Sequence, residues 1–308
     1  MNTIYVVGSS NTDMVVKCDR IPAPGETVLG GEFLCVPGGK GANQAVAAAR
    51  LGGRVVFIGR VGDDDFGRAA LETYRKEGID TRRLIIDASG PSGVALIMVG
   101  KKGENAIAVA PGVNSNLQPH DVEILANLLK PGDVILLQLE IPMETVLRAA
   151  EIGWEKQACV ILDPAPAPPD GLPPEIYSQL HSLLPNEHEA AALLGAPGEP
   201  SAMAEALFQR GVRHAIVKAG ADGVALACQL GTFSYPAYRV NAVDSTAAGD
   251  AFAGGYAVAL AEEYKTEEAI RYGQQAAALS VTKMGAQPSL PTRTEINKFP
   301  FPDEDFIA

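Results

Sequence analysis

Two patterns of apolar positions alternate along the chain. Short continuous apolar runs occur at IYVVG (4–8), VVFIG (55–59), DVILLQ (133–138), CVILD (159–163) and HAIVKAG (214–220). A run that is apolar at every position fits a strand buried on both faces, as in a parallel sheet covered by helices. Between these runs the apolar residues recur at helical spacing. NQAVAAARLG (43–52) predicts a short helix with a glycine stop, and FGRAALETYRKEG (66–78) an amphipathic one. Further helical patterns cover 119–130, 143–154, 188–194 and 201–211. The alternation predicts an α/β fold with a mostly parallel central sheet and helices on both faces.

Two stretches break this rhythm. Residues 14–36 and 93–109 read as hairpins, the second with two apolar runs joined by the polar turn GKKGEN (100–105). They predict a small antiparallel β lid over the carboxyl ends of the main strands, where ligands bind in open α/β sheets. A length of 308 residues gives a prior of about two domains. The pattern shows no repeat and no linker, because the Pro-rich DPAPAPPDGLPP (163–174) reads as a rigid surface loop. The expectation is one α/β domain over 1–308, with a lid formed by about 12–37 and 91–111.

Composition narrows the function. Lys plus Arg number 25 against 37 Asp plus Glu, a net charge of −12 that argues against nucleic acid and anionic membrane surfaces as partners. It leaves room for an anionic substrate held by backbone at a helix start. Four widely spaced cysteines, at 18, 35, 159 and 228, read as free thiols of a reducing compartment. The first apolar run is too short for a signal peptide, and no apolar stretch approaches the ~18 residues of a membrane span. A cytoplasmic location is expected. There is no GxxxxGK[ST] loop and no GxGxxG after the first strand. The histidines at 120, 181, 188 and 214 lack zinc-ligand spacing and read as surface or structural residues.

The candidate chemistry lies elsewhere. In VPGGKGANQAVAAARLG (36–52), glycines around Lys40 let a ligand approach the backbone, and Asn43 is a candidate helix cap. In GSSNTDMVV (8–16), Asn11 and Asp13 project to one side of an extended chain; they suit sugar hydroxyls or an ordinary Asx turn. Glu140 ends the strand of LLQLEIP (136–142), at a position typical of open α/β sites. In LLPNEHEA (183–190), Asn186 and Glu189 either orient a metal-bound water and a phosphate or form a capping box. VDSTAAGDAFAGG (243–255) sets Asp250 after Ala247, Ala248 and Gly249 at an expected helix start. Small residues there let N–H groups converge on a phosphoryl group, with Asp250 placed to take a proton from an attacking hydroxyl. The helix dipole is expected to lower the Asp250 pKa. An Asp in a first helical turn is also an ordinary structural feature.

GSSNTD (8–13), PGET (24–27), GGKGANQA (38–45), PNEHE (185–189), DSTAAGDAF (244–252) and GAQPSLP (285–291) together resemble the ribokinase branch of the ribokinase-like sugar kinases, in order and over nearly the whole chain. The resemblance implies ATP-dependent phosphorylation of D-ribose at its 5-hydroxyl. It implies that Asn11, Asp13, Gly39, Lys40, Asn43 and Glu140 hold the sugar, that Asp250 is the base, and that Ala247, Ala248 and Gly249 form the anion hole. Asn186 and Glu189 would serve the Mg²⁺ and phosphate side, and Lys218, Gly220 and Gln274 the nucleotide. Asp244, Thr246, Ser280, Lys283, Gly285 and Ser289 match a K⁺ loop whose oxygen ligands are mostly carbonyls. A homodimer clasped through the lid is also implied. Ala247 departs from the glycine many relatives carry there, and Gln274 is at a variable position. A nucleoside kinase or another pentose or ketose kinase of the same fold is the alternative enzyme; a non-catalytic ribose-sensing regulator is the alternative of another class.

Overall fold

The computed structural model describes residues 1–101 and 104–299. Its strands are β1 (Thr3–Val7), β2 (Asn11–Lys17), β3 (Phe33–Gly38), β4 (Arg54–Gly62), β5 (Asp80–Asp87), β6 (Gly93–Val99), β7 (Asn105–Ala110), β8 (Val134–Leu137), β9 (Cys159–Leu162), β10 (Ser182–Leu183), β11 (His214–Lys218), β12 (Val224–Cys228) and β13 (Gly231–Tyr235). Among the described residues the main sheet has nine strands in the order β13-β12-β11-β10-β9-β8-β1-β4-β5. The seven from β11 to β5 pair in parallel, as the all-apolar runs predict. β12 and β13 add an antiparallel edge.

Helices cover both faces. One core packs Phe57, Leu136 and Ile216 against Val46, Tyr256 and Ile270; the other packs Val7, Leu137 and Leu162 against Val146, Ile176 and Leu207. The helix Ala248–Ala261 is buried from Asp250 to its end, so its Ala- and Gly-rich sequence faces protein all round. A Cβ on Gly254 would lie 2.6 Å from that of Ala47, which explains the missing side chain where this helix meets Lys40–Arg50. The expected helix 119–130 is instead two short helices, Pro119–Val122 and Leu125–Leu128. The helix expected from residue 43 starts at Lys40.

The second sheet has the order β3-β2-β6-β7. Its two hairpins, β2–β3 and β6–β7, are antiparallel as expected, and they join through one parallel pairing, β2–β6. Residues 102 and 103, in the turn expected at GKKGEN, lie outside the described residues. β2 follows β1 after three residues, Gly8 to Ser10, so the second sheet begins at the carboxyl ends of the main strands. No described helix is long and apolar enough to cross a membrane, and the four cysteines are free.

Candidate active site

Successive strand ends deliver the polar side chains to one place. After β1 come Asn11 and Asp13, after β8 Glu140, after β9 Asp163, and β11 ends on Lys218. The amino ends of Lys40–Arg50 and Ala248–Ala261 bring Lys40, Asn43 and Asp250 from the other side. A cavity of about 870 Å³ opens beside them, lined by Lys40, Asp163, Asn186, Glu189, Lys218, Gly220, Gln274 and the run Ala247 to Asp250. That volume suits a nucleotide-sized ligand.

Asp250 is 6% exposed. Its Oδ2 accepts from Asn43 Nδ2 at 2.9 Å and its Oδ1 from Gln44 Nε2 at 3.0 Å. Burial raises its pKa to about 6 and outweighs the lowering by Lys40, Asn43 and Gln44, while Asp163 adds to the rise. The downward shift expected from the helix dipole is therefore corrected: desolvation dominates at this site. Ahead of Asp250, Ala247 has φ 59°, a left-handed conformation for which glycine is the easier residue. This accounts physically for the glycine expected there in relatives. The Ala248 N–H donates to Ser245 O at 3.2 Å.

Several of the sugar-side residues gather on Glu140. Glu140 Oε2 accepts from Ser9 Oγ at 2.5 Å, from the Lys40 N–H at 3.0 Å and from Asn11 Nδ2 at 3.4 Å. Gly39 caps the helix with φ 88°, and a Cβ there would lie 2.6 Å from the Asn11 nitrogen. Asp13 is 9% exposed; burial, then Glu140 and Asp250, raise its pKa to about 7. Burial works against the Lys40 charge, yet Asp250, Asp163, Glu140 and Glu189 outweigh it and raise its pKa. Asn43 is not the cap. It lies a turn inside the helix, its amide nitrogen bonds Asp250, and its Oδ1 has no hydrogen-bond partner among the described residues.

On the nucleotide side, Asn186 and Glu189 form the capping box of Glu187–Leu194: Asn186 Oδ1 accepts from Glu189 N, and Glu189 Oε2 from Asn186 N, each at 2.8 Å. Both also line the cavity. Burial and then Asp163 raise the Glu189 pKa. Lys218 Nζ bonds Asp163 Oδ1 at 2.7 Å. Gln274 donates to the carbonyls of Tyr235 and Pro236 at 3.2 and 3.1 Å.

The two segments expected around K⁺ do meet. Asp244 accepts from Thr246 N and Oγ1 at 2.9 and 2.6 Å, and from Gly285 N at 2.8 Å. Burial raises the Asp244 pKa less than these hydrogen bonds lower it. Ser280 and Ser289 are buried and donate to Ala277 O and Ala286 O, and Lys283 pairs with Glu295 at 2.5 Å. Among the described residues no group of three or more His, Cys, Asp or Glu side chains is placed to hold a metal. The half-buried rings of His181 and His214 lie 4.7 Å apart at a tilt of 50°, His181 just ahead of β10 and His214 at the start of β11.

Sequence reasoning missed Gln44, Gln138 and Asp163. Gln44 is the next residue after Asn43 inside the recognised motif, and Asp163 opens the Pro-rich loop at a strand's carboxyl end. That position was the available signal for Asp163, as it was for Glu140.

The chain matches the family model described as "pfkB family carbohydrate kinase" over residues 1–293. It is similar to the ribokinase of Haemophilus influenzae, 41% identical with 96% of this chain and 98% of the relative covered. Its fold is similar to that of the ribokinase of Thermotoga maritima, with a TM-score of 0.88 at 43% identity over 96% of this chain and 98% of that one. It is also similar to the Arabidopsis thaliana ribokinase solved with ribose and ATP: TM-score 0.87, 33% identity, 97% of this chain and 98% of that one.

Proposed function

The chain belongs to the pfkB family of carbohydrate kinases, and from that premise we propose that it transfers the γ-phosphoryl group of ATP to the 5-hydroxyl of D-ribose. The observation that carries this reading is the buried Asp250 carboxylate, held between Asn43 and Gln44 at a helix start on the edge of a nucleotide-sized cavity. A base whose pKa is raised to about 6 is ionised at neutral pH and retains proton affinity. Asp250 takes the proton of the attacking hydroxyl late, as the loose transition state of phosphoryl transfer permits. The backbone of Ala247, Ala248 and Gly249 and the helix N-terminus face the developing charge. Asn11, Asp13, Gly39, Lys40, Asn43 and Glu140 hold the sugar. The unpartnered Asn43 Oδ1 supplies an acceptor that a sugar hydroxyl satisfies. Lys218, Gly220, Asn186 and Gln274 line the nucleotide side.

Mg²⁺ fits the Glu189 side of the cavity, where a half-buried carboxylate feels the charge of Asp163 and, among the described residues, lacks the ligand set for a metal held by protein alone. An ion shared with the phosphates through waters answers both features. It neutralises phosphate charge when bound. K⁺ fits beside Asp244, because that carboxylate already joins the two expected loops. There the carbonyls of Thr246, Ser280, Lys283 and Gly285 and the Ser289 hydroxyl would complete an oxygen shell that fixes the loop before Ala247.

The small sheet exposes Phe33, Leu96, Ile107 and Val109 at 61%, 55%, 57% and 48%. A second copy of this sheet is the occupant we assign to that apolar surface, giving a homodimer. Cytoplasmic residence belongs to the same reading. The test is ADP release with ribose, deoxyribose, fructose, adenosine and ketodeoxygluconate. Ribose is expected to give the highest kcat/KM, and a clear lead by another acceptor would overturn the substrate assignment.

A further inference from the structure

Gln44 is fully buried on the helix Lys40–Arg50, one residue beyond Asn43. Its Nε2 donates to Asp250 Oδ1 at 3.0 Å and to Asp163 Oδ2 at 2.9 Å. A primary amide carries two N–H groups, so each carboxylate receives one. Its Oε1 accepts from Gln138 Nε2 at 2.5 Å, which fixes the end of the amide that faces the acids. The other Asp163 oxygen holds Lys218 at 2.7 Å. An unbroken path therefore runs from the lysine on the nucleotide side, through Asp163 and Gln44, to Asp250.

We propose that Gln44 is a positioning residue for phosphoryl transfer: its amide holds Asp250 ionised and aimed beside a second carboxylate, and ties it to the nucleotide-side Lys218. The inference rests on Asp250 being the base. Two carboxylates buried together favour protonation of one of them, and a donor shared between them opposes that. Burial and then Asp163 push Asp250 towards its protonated form, and Asp250 in turn adds to the raised pKa of Asp13. Lys40 opposes them, and Glu140 and Glu189 act on Lys40 in turn. The helix Thr266–Ser280 packs against Ala248–Ala261 but carries Glu267, Glu268 and Arg271 in its amino-terminal half, at the far end of the antiparallel pair. Lys40 pulls on Asp250 only as a charge, whereas Gln44 also fixes the direction of one carboxylate oxygen.

The test is the pH profile of kcat, with Gln44→Met, Gln138→Met and Asp250→Asn measured beside the parent. Gln44→Met keeps volume and loses both donors. Its acid limb is expected to move up by about one pH unit, with turnover recovering towards the parent value at alkaline pH. KM for ATP is expected to stay within about threefold. Gln138→Met removes the bond that orients the Gln44 amide, together with a long 3.4 Å bond to Leu136 O, and should move the limb the same way by less; it decides the matter if Gln44→Met does not fold. An unmoved acid limb in the folded variants, with Asp250→Asn inactive, overturns the role of Gln44 alone. So does a kcat lowered equally at every pH. Substantial activity in Asp250→Asn overturns both the base and this inference.

Discussion

Replacing Asp250 with Asn should separate activity from stability, with a pH dependence that identifies the cause. The pKa of this carboxylate lies at about 6 in the folded protein, against an ordinary 3.8. That displacement corresponds to about 3 kcal/mol by which the ionised group opposes folding. The attraction of Lys40 is already contained in it. Below pH 3.8 the carboxyl is protonated in both states and the opposition is absent. It grows as pH rises and is complete above about 6. Asn does not titrate, so the variant escapes it. Against this stands a cost that does not vary with pH: Asn43 and Gln44 both donate to Asp250, and the new amide can accept from only one of them. Asn43 can turn its unpartnered Oδ1 towards the new N–H group, which reduces the cost to about 1 kcal/mol. The variant should therefore be slightly less stable than the parent near pH 4 and about 2 kcal/mol more stable at pH 7.5. At roughly 2 °C per kcal/mol for a chain of this size, the difference in Tm should swing by about 5 °C between those pH values. Turnover should fall by a factor of ~10²–10⁴. Thermal melts of the ligand-free protein across that range and a coupled ADP assay provide both readouts. A variant retaining more than about a tenth of parent turnover would refute the base assignment. A Tm difference unchanged between acid and neutral pH would refute the buried, ionised carboxylate.

Three further outcomes are expected. Asp13→Ala should weaken ribose binding by about 1–3 kcal/mol while ATP affinity holds, measured by calorimetry; normal ribose binding with weakened ATP binding would contradict the sugar-side assignment. Turnover should rise when Na⁺ is replaced by K⁺ at constant ionic strength, and Asp244→Ala should remove most of that rise; equal rates in both salts for both proteins would leave Asp244 as a loop tie only. Leu96→Glu, which places charge on the exposed sheet, should yield a monomer in analytical ultracentrifugation; an unchanged mass would show that this surface does not join two copies.

The fold was legible wherever burial alone decides structure. The runs that became β1, β4, β8, β9 and β11 are apolar at every position because helices cover both faces, and their parallel pairing follows. β5 was not legible: Asp80, Arg82, Arg83 and Asp87 interrupt its apolar run, because it lies at the sheet edge with one side open to solvent. The site divides in a similar way. Asn11, Asp13, Lys40, Asn43, Glu140 and Asp250 stand in short motifs, and the structure draws them close together, Asn11 and Lys40 on Glu140 and Asn43 on Asp250, with Asp13 under the charge of both acids. Gln44, Gln138 and Asp163 come from three separate elements, and what joins them is a shared amide that only the three-dimensional arrangement creates. The direction of the Asp250 pKa shift was misread for a related reason. A helix terminus can be seen in sequence and argues for a lowered value, whereas desolvation depends on everything packed around the group. At Asp250 that packing raises the pKa and leaves an ionised base that a proton can still find. The charge of Lys40 and then the amides of Asn43 and Gln44 offset part of the burial, so the carboxylate remains charged at neutral pH without being neutralised by a direct ion pair.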